Sequence, residues 1–339
     1  MQTPSWALPA KRQANLIISA LFDKLHFPAN VAVGLIKDGN KTSFGFSSEG
    51  RPPTGDSIFM IGSVQKVFGG VLFAYLDQKN FVNVNDTVSM YIPSNADVAN
   101  ITLRELATFT SGLPANDAVF DKKIYAAYSP GEVGNIITNY LSSCQLVSSP
   151  GSAYLYSDIS APLLPYLLST KMKQSYASLS SSLIFEPLRM YSSGMGFPSK
   201  LVPRLVRGYS STTGMIGTDP TDNQLSATGD PQMHSTVHDL LKFTEACLDA
   251  PHLSDMLSKS IQQTQRSYYP VQKDITTGYF WSIYHDTTYV KNGASNYYGY
   301  AAILMYDTVK NCGVVILSNT TSISDIEQMG WKLLGLLDS

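Results

Sequence analysis

The sequence predicts an α/β (α+β) fold in which one sheet takes its strands from both ends of the chain. Residues 31–37 and 42–46 have strand-like apolar patterns and flank a turn at residues 38–40. The intervening region, about residues 71–195, reads as helical segments broken by prolines. Strands from the two ends must share one sheet if that sheet is to close its core. The later strands are predicted at residues 279–285, 288–291, 298–306 and 313–318.

Three helices add to this pattern. Residues 15–24 have helical spacing and precede the first strand, and residues 324–337 form a similar segment at the other end of the chain. Apolar residues 58–61 and Gly62 lead into residues 67–76, which carry almost no charge and are long enough for a buried helix. Prolines 93, 114, 130 and 150 divide the helical middle of the chain.

Composition excludes several classes of protein. The chain has 339 residues, 15% charged residues and a formal net charge of -2, so it can bury a large core and has no basic stripe for nucleic acid. No apolar run approaches the length of a membrane span. Cys144, Cys247 and Cys312 are far apart and have no metal-like spacing, which predicts buried free thiols. We expect no metal and no cofactor.

Ser63 and Lys66 form the most informative motif, Ser-x-x-Lys. Residues three apart on a helix are neighbours, so the lysine can reach the serine if a helix starts here. A neutral, desolvated lysine can activate a serine as a nucleophile. Roughly two such matches are expected by chance in a serine-rich chain, and an N-cap role for Ser63 is the structural alternative.

Two further motifs follow in chain order, Tyr-Ser-Asp at residues 156–158 and Lys-Asn-Gly at residues 291–293. With residues 63–66 they resemble the serine β-lactamase and penicillin-binding-protein superfamily. The resemblance is to its class C β-lactamase branch, which also holds D-alanyl-D-alanine carboxypeptidases and esterases. That branch carries Ser-x-x-Lys, Tyr-x-Asn and Lys-Thr-Gly in this order. Further matching segments lie at residues 101–114, 150–151, 185–190, 235–240 and 314–319.

The resemblance implies an architecture and a location. An antiparallel sheet flanked by helices would be built from residues 1–75 and 197–339, and an all-helical domain from residues 76–196. The active site would lie in the cleft between them. Family members usually act outside the cytoplasm, so a periplasmic or secreted protein is expected, although no signal-peptide pattern opens this chain.

The resemblance also assigns roles to single residues. Ser63 would attack an acyl carbonyl and form an acyl-enzyme, and Lys66 would accept or shuttle its proton. Tyr156 would be the general base or acid. Free tyrosine has a pKa of about 10, and the ammonium groups of Lys66 and Lys291 would favour its phenolate. The backbone N–H groups of Ser63 and Ala294 would form the oxyanion hole.

The expected substrate-binding residues include two departures from the family. Asp158 replaces an asparagine, and an ionised carboxylate can accept but not donate a hydrogen bond. It could instead pair with one of the lysines. Asn292 replaces a threonine whose hydroxyl helps to hold a substrate carboxylate. Gly293 would let a substrate lie against its strand. Ser295 and Asn319 complete the predicted binding set.

The sequence alone leaves three functions open. The first is β-lactam amide hydrolysis, and the second is a carboxypeptidase, esterase or acyltransferase on the same scaffold. The third is a non-catalytic, penicillin-binding-like protein. The substrate would be a β-lactam, a D-Ala peptide or an ester, with no nucleic acid partner.

Other readings lack support from the sequence. The Gly-x-Ser-x-Gly motif of α/β-hydrolases does not occur. His234 and His238 are four residues apart, but no His-Glu-x-x-His motif accompanies them. Tyrosines could line an aromatic pocket near Lys291, although strands favour tyrosine in any case. These tyrosines are residues 268, 269, 297, 298 and 300.

Overall fold

The structure is a computed structural model that describes residues 4–126, 130–209, 233–248, 254–296 and 298–337. Within these residues, one long antiparallel sheet has eight strands and a smaller antiparallel sheet has three. In chain order the strands are β1 (Asn30–Lys37), β2 (Asn40–Ser47), β3 (Phe59–Met60), β4 (Gly194–Met195), β5 (Met233–Ser235), β6 (Tyr269–Gln272), β7 (Ile275–Thr277), β8 (Ser282–Tyr284), β9 (Thr288–Ser295), β10 (Tyr300–Asp307) and β11 (Cys312–Ser318).

The two ends of the chain meet near one edge of the long sheet, whose order is β2-β1-β11-β10-β9-β8-β7-β6. Strand β1 pairs with β11 from Val31 opposite Ser318 to Lys37 opposite Cys312. All of β10 and β11 is buried, as expected of strands covered on both faces. The sheet predicted to join the two chain ends is therefore present. The small sheet has the order β3-β5-β4.

Helices cover both faces of the long sheet. One apolar core lies between the sheet and the helices at the two chain termini, and a larger core joins the opposite face to the rest of the helices. In chain order the helices are α1 (Ala7–Phe22), α2 (Lys66–Gln78), α3 (Ala96–Ala99), α4 (Leu103–Ala107), α5 (Ala118–Ala126), α6 (Pro130–Ser143), α7 (Ser160–Met172), α8 (Tyr176–Ser180), α9 (Val237–Leu248), α10 (Asp255–Thr264) and α11 (Ile323–Leu336).

Several element boundaries differ from the sequence prediction. Helix α1 begins at Ala7 rather than at residue 15, because its first turns bury small alanines that give a weak apolar signal. Strands β6 and β7 were not predicted. Strand β8 begins only at Ser282, because Phe280 takes a left-handed backbone conformation with φ of +63° just before it. Strand β9 continues beyond the predicted end to Ser295.

The domain boundaries stay a prediction. Between β3 and β4 the described residues form helices and turns, apart from one isolated bridge that joins Thr87 to Thr102. Strand β4 lies inside the predicted helical unit but pairs with β5. The three cysteines are buried free thiols, as predicted. Among the described helices, none combines the length and apolarity that crossing a membrane requires.

Candidate active site

Ser63 lies in a tight 3₁₀ turn, Gly62–Gln65, that leads directly into α2. The N-cap of α2 is Gln65 rather than Ser63, so the capping alternative for the serine is not observed. The Lys66 ammonium nitrogen donates a hydrogen bond of 2.6 Å to Ser63 Oγ. Lys66 is only 4% exposed, because the helix that it begins is buried in the core. The first motif therefore forms a buried serine–lysine pair.

Tyr156 reaches the same serine from the segment that precedes α7. Its hydroxyl donates to Ser63 Oγ over 3.0 Å. The tyrosine ring packs on Phe109, with 4.6 Å between the ring centroids. The backbone of Leu155 donates to the carbonyl of Phe109 at 2.8 Å, which ties the two segments together. Ser63 Oγ thus lies within hydrogen-bond distance of both proposed proton-transfer groups.

Lys291 enters from β9 and is 5% exposed. Its Nζ lies 4.7 Å from the centre of the Tyr156 ring and 5.4 Å from that of Phe109. The Nζ of Lys66 lies 5.6 Å from the same Tyr156 ring. Two buried lysine side chains therefore flank one tyrosine, and electrostatic effects are strong in a buried environment. The fold brings all three sequence motifs together.

Two glycines allow the strand and the nucleophile turn to approach closely. A Cβ atom on Gly293 would lie 2.5 Å from the amide nitrogen of Ser63, and one on Gly62 would lie 2.6 Å from the carbonyl oxygen of Ala294. Gly62 also has φ of +49°, which favours glycine. The backbones of Ser63 and Ala294, the two predicted oxyanion-hole residues, consequently lie next to each other.

The two departures from the family motifs both have partners within the protein. An Asp158 carboxylate oxygen lies 3.1 Å from Lys66 Nζ, one of the arrangements that the sequence left open. The side-chain amide of Asn292 donates to Glu327 Oε2 at 2.9 Å. Glu327 belongs to α11 and is half-buried.

Ser295 and Asn319 are buried. Asn319 holds the chain ends together, because its amide oxygen accepts from the backbone of Asn30 and its nitrogen donates to the carbonyls of Pro28 and Arg207. This arrangement argues against a direct contact between Asn319 and a substrate. The hydroxyl of Ser295 has no hydrogen-bond partner among the described residues, so its predicted role stays a prediction.

Three neighbours of the site were not singled out in the sequence. Phe109 has φ of +56°, an uncommon conformation for a bulky residue, and it contacts both Tyr156 and Lys291. Phe280 packs on Phe109, with ring centres 5.2 Å apart. Phe109 lies in segment 101–114, whose resemblance to the family could have drawn attention to it. Phe280 and Glu327 lie in no such segment or motif.

Tyr154 also borders this site. Burial raises its pKa to about 12, with smaller contributions from nearby tyrosines. It is therefore a neutral phenol at neutral pH. The tyrosines near Lys291, for which strand propensity was the simpler explanation, have other contacts: Tyr298 and Tyr300 are buried, and Tyr268 stacks on Tyr279. The fourth, Tyr269, donates to the Ser152 carbonyl, and Tyr297 lies outside the described residues.

The two histidines have separate partners. His234 Nδ1 lies 2.6 Å from the carbonyl of Gly196. His238 lies between Asp56 and Ser43, 3.0 Å from each, in an arrangement that resembles a serine–histidine–aspartate triad. The His238 and Asp56 side chains are 46% and 66% exposed, so water competes for these contacts and weakens any activation of the serine.

Comparisons with known proteins identify the family and the fold of this chain. The sequence profile described as Beta-lactamase matches residues 18–337. A β-lactamase of Yersinia enterocolitica is 26% identical over 301 residues, covering 84% of this chain and 71% of the relative. The D-alanyl-D-alanine-carboxypeptidase/endopeptidase AmpH of Escherichia coli K12 is 29% identical over 241 residues, covering 67% of this chain and 59% of AmpH. The solved structure of a class C β-lactamase superposes with a TM-score of 0.83 at 18% identity, covering 96% of each chain. The predicted fold class is confirmed.

Proposed function

This chain belongs to the β-lactamase family, and from that premise we propose that it is a serine hydrolase that works through an acyl-enzyme on Ser63. One observation carries the proposal. Ser63 Oγ is in hydrogen-bond contact with both Lys66 Nζ, at 2.6 Å, and the Tyr156 hydroxyl, at 3.0 Å. A nucleophile held between two proton-transfer groups is the arrangement that acyl transfer requires.

In the acylation step Ser63 Oγ bonds to the substrate carbonyl carbon and gives up its proton to Tyr156. The negative charge on the carbonyl oxygen is stabilised by the N–H groups of Ser63 and Ala294. The tetrahedral intermediate collapses when the bond to the leaving group breaks, and Tyr156 returns the proton to that group. Lys66 and Lys291 favour the phenolate form of Tyr156, which is present before it takes the serine proton and again after the leaving group has received that proton.

In the deacylation step a water molecule attacks the acyl carbon. Tyr156 takes a proton from the water, and the same proton passes to Ser63 as its bond to the acyl group breaks. The free enzyme is thereby regenerated and the acid product leaves. Each step uses the same base and the same oxyanion donors, so one site performs both halves of the hydrolysis.

The first substrate class to test is the β-lactam ring amide, which the family profile favours. The alternative is a D-alanyl-D-alanine peptide or a simple ester. A specific observation favours this alternative: Asp158 and Asn292, expected to contact substrate, are engaged with Lys66 and Glu327. The remaining alternative, a non-catalytic binding protein, is disfavoured by the contacts among Ser63, Lys66 and Tyr156.

A turnover panel tests the proposal. Initial rates are measured with nitrocefin, a D-Ala-D-Ala peptide and a p-nitrophenyl ester, and acylation is followed with a fluorescent penicillin and a fluorophosphonate. Turnover of any of the three substrates supports a serine hydrolase, and the fastest identifies the substrate class. If none of the three substrates is turned over and neither reagent labels the protein, the result would favour the non-catalytic alternative. A periplasmic or secreted location is part of the proposal and rests on the family alone.

A further inference from the structure

A small pocket opens beside Lys291, where β9 extends past its neighbour. Strand β8 pairs with β9 only from Thr288 to Val290, so the rest of β9 continues beyond it on that side. The pocket has a volume of about 70 Å³. Its walls include the aromatic side chains of Tyr154, Phe280 and Tyr284. Tyr156 also lines it, so the pocket adjoins the group proposed to protonate the leaving group.

Glu327 brings a negative charge to this pocket. Its Oε2 accepts the hydrogen bond of 2.9 Å from Asn292. By the family resemblance, Asn292 takes the place of a threonine that helps to hold a substrate carboxylate. Here the side-chain amide is directed to a carboxylate that the protein itself supplies. A substrate carboxylate would therefore have to compete with Glu327 for the amide and would also meet a like charge.

The other lining groups suit a different ligand. The Nζ of Lys291 lies over the rings of Tyr156 and Phe109, so its ammonium group already interacts with two aromatic faces. Tyr284 is half-buried, and burial together with the charge of Glu327 raises its pKa, which keeps its ring neutral. Aromatic faces beside a carboxylate are favourable surroundings for an ammonium group or an uncharged group.

We propose that this pocket is a leaving-group subsite that accepts an uncharged or ammonium-bearing group and rejects a carboxylate, with Glu327 as the specificity-determining residue. The inference rests on the proposed acyl-enzyme function, because that function makes the Tyr156 side of Ser63 the leaving-group side. The preferred substrates are then esters or amides whose leaving group carries no free carboxylate. Selection against a competing substrate by an unfavourable charge is a common route to specificity.

Three esters with one acyl group test this proposal. Phenyl phenylacetate, 3-carboxyphenyl phenylacetate and 3-(trimethylammonio)phenyl phenylacetate all transfer a phenylacetyl group to Ser63 and differ in the charge of the leaving group. Each kcat/KM is divided by the rate constant for hydroxide-catalysed hydrolysis of the same ester, which corrects for leaving-group reactivity. The wild-type protein should prefer the cationic ester to the anionic ester.

Glu327→Gln removes the charge and keeps the shape of the side chain. It should lower the cationic-to-anionic ratio of normalised kcat/KM by about tenfold, the effect expected for one partly screened charge. Glu49→Gln is the matched control, because Glu49 is exposed and follows β2, four strands away from β9 in the sheet. It should leave the ratio unchanged. An anionic ester preferred by the wild type, or equal ratios in Glu327→Gln and wild type, would overturn the proposal.

A binding measurement separates failure of the subsite from failure of the proposed function. In Ser63→Ala the esters are not consumed, so their Kd values are measured directly by calorimetry, with and without Glu327→Gln. If the wild type hydrolyses none of the esters, gains no phenylacetyl group and also fails to turn over any substrate of the panel, the proposed function fails. The subsite then stands if the cationic ester binds Ser63→Ala more tightly and Glu327→Gln removes that preference. It is overturned if the two charged esters bind alike.

Discussion

The Lys66 ammonium nitrogen lies 3.1 Å from a carboxylate oxygen of Asp158. The lysine side chain is 1% exposed and the aspartate side chain 36%, so the pair connects the buried site to its rim. A carboxylate at this distance favours the charged form of the lysine. A charged Lys66 donates to Ser63 and cannot take its proton, so we propose that Tyr156 rather than Lys66 is the general base.

The ion pair predicts how Asp158→Asn behaves. If Asp158 organises Lys66, the substitution should lower kcat/KM for nitrocefin and for a p-nitrophenyl ester by a similar factor, about tenfold. This corresponds to a loss of about 1.4 kcal/mol, the scale of a partly exposed charged hydrogen bond. The measurement is kcat/KM for both substrates on the same protein preparations.

The competing account makes Asp158 and Asn292 substrate-recognition residues. It predicts that Asp158→Asn together with Asn292→Thr increases β-lactam turnover while ester hydrolysis changes less. Such a gain, specific to nitrocefin, would contradict the role of Asp158 as the partner of Lys66. Asp56→Asn is a suitable control, because Asp56 is an exposed aspartate whose side chain contacts His238 rather than the site.

Tyr156→Phe isolates the contribution of one oxygen atom. The ring keeps its packing on Phe109, whereas the hydroxyl that contacts Ser63 is lost. Turnover should fall by about 10²- to 10⁴-fold, the usual range for a general acid–base group. Steady-state rates on the best substrate of the panel provide the measurement. Turnover near the wild-type value would mean that another group moves the proton.

Lys291→Ala tests how the tyrosine is tuned. Its Nζ lies 4.7 Å from the centre of the Tyr156 ring, so its removal takes a positive charge away from the phenolate. The phenolate is then less favoured, and the acidic limb of the kcat/KM profile should move to higher pH. A lower rate with an unmoved limb would instead indicate a role for Lys291 in substrate binding alone.

The sequence predicts the nucleophile cluster better than its surroundings. Ser63, Lys66, Tyr156 and Lys291 lie in short motifs whose chemistry requires them to meet, and they do meet. The Asn292–Glu327 contact joins a strand to a helix 35 residues later, and Glu327 lies in no motif. Its position depends on how α11 packs on the sheet, which local sequence patterns do not encode.

The sequence patterns also did not predict the backbone irregularities near the site. Phe109 and Phe280 adopt positive φ angles. Such angles are unusual for bulky residues, so the residue type does not predict this backbone conformation. Phe280 lies just before β8, and its backbone conformation delays the start of that strand. Its ring packs beside the site, although the sequence predicted only a strand residue at this position. Strands β6 and β7 are short and only partly buried, and such strands have weak periodicity.

Burial of His234 predicts a pH dependence of stability. The ring is 2% exposed, and burial lowers its pKa from 6.5 to about 4, partly offset by the hydrogen bond to Gly196. Between these pH values the unfolded chain binds a proton that the folded chain does not, so acidification favours unfolding. The loss should approach about 3 kcal/mol between pH 6.5 and pH 4.

His234→Asn checks this contribution, because asparagine can keep an N–H donor near the position of Nδ1 and does not titrate. The free energy of unfolding is measured by urea denaturation from pH 7 to pH 4 for both proteins. Carboxylates titrate in both, so the difference between the curves reports His234. The wild type should lose more stability than the variant as pH falls. Parallel curves would show that His234 does not supply the effect.

The central claim is that Ser63 is the nucleophile, and intact-mass spectrometry tests it most directly. The protein is incubated with a slow β-lactam or with phenyl phenylacetate, quenched in acid and weighed. Ser43→Ala is the matched control, because Ser43 also has a basic nitrogen within 3.0 Å. We predict one acyl adduct on the wild type and on Ser43→Ala, and none on Ser63→Ala. An adduct that persists on folded Ser63→Ala would contradict the account.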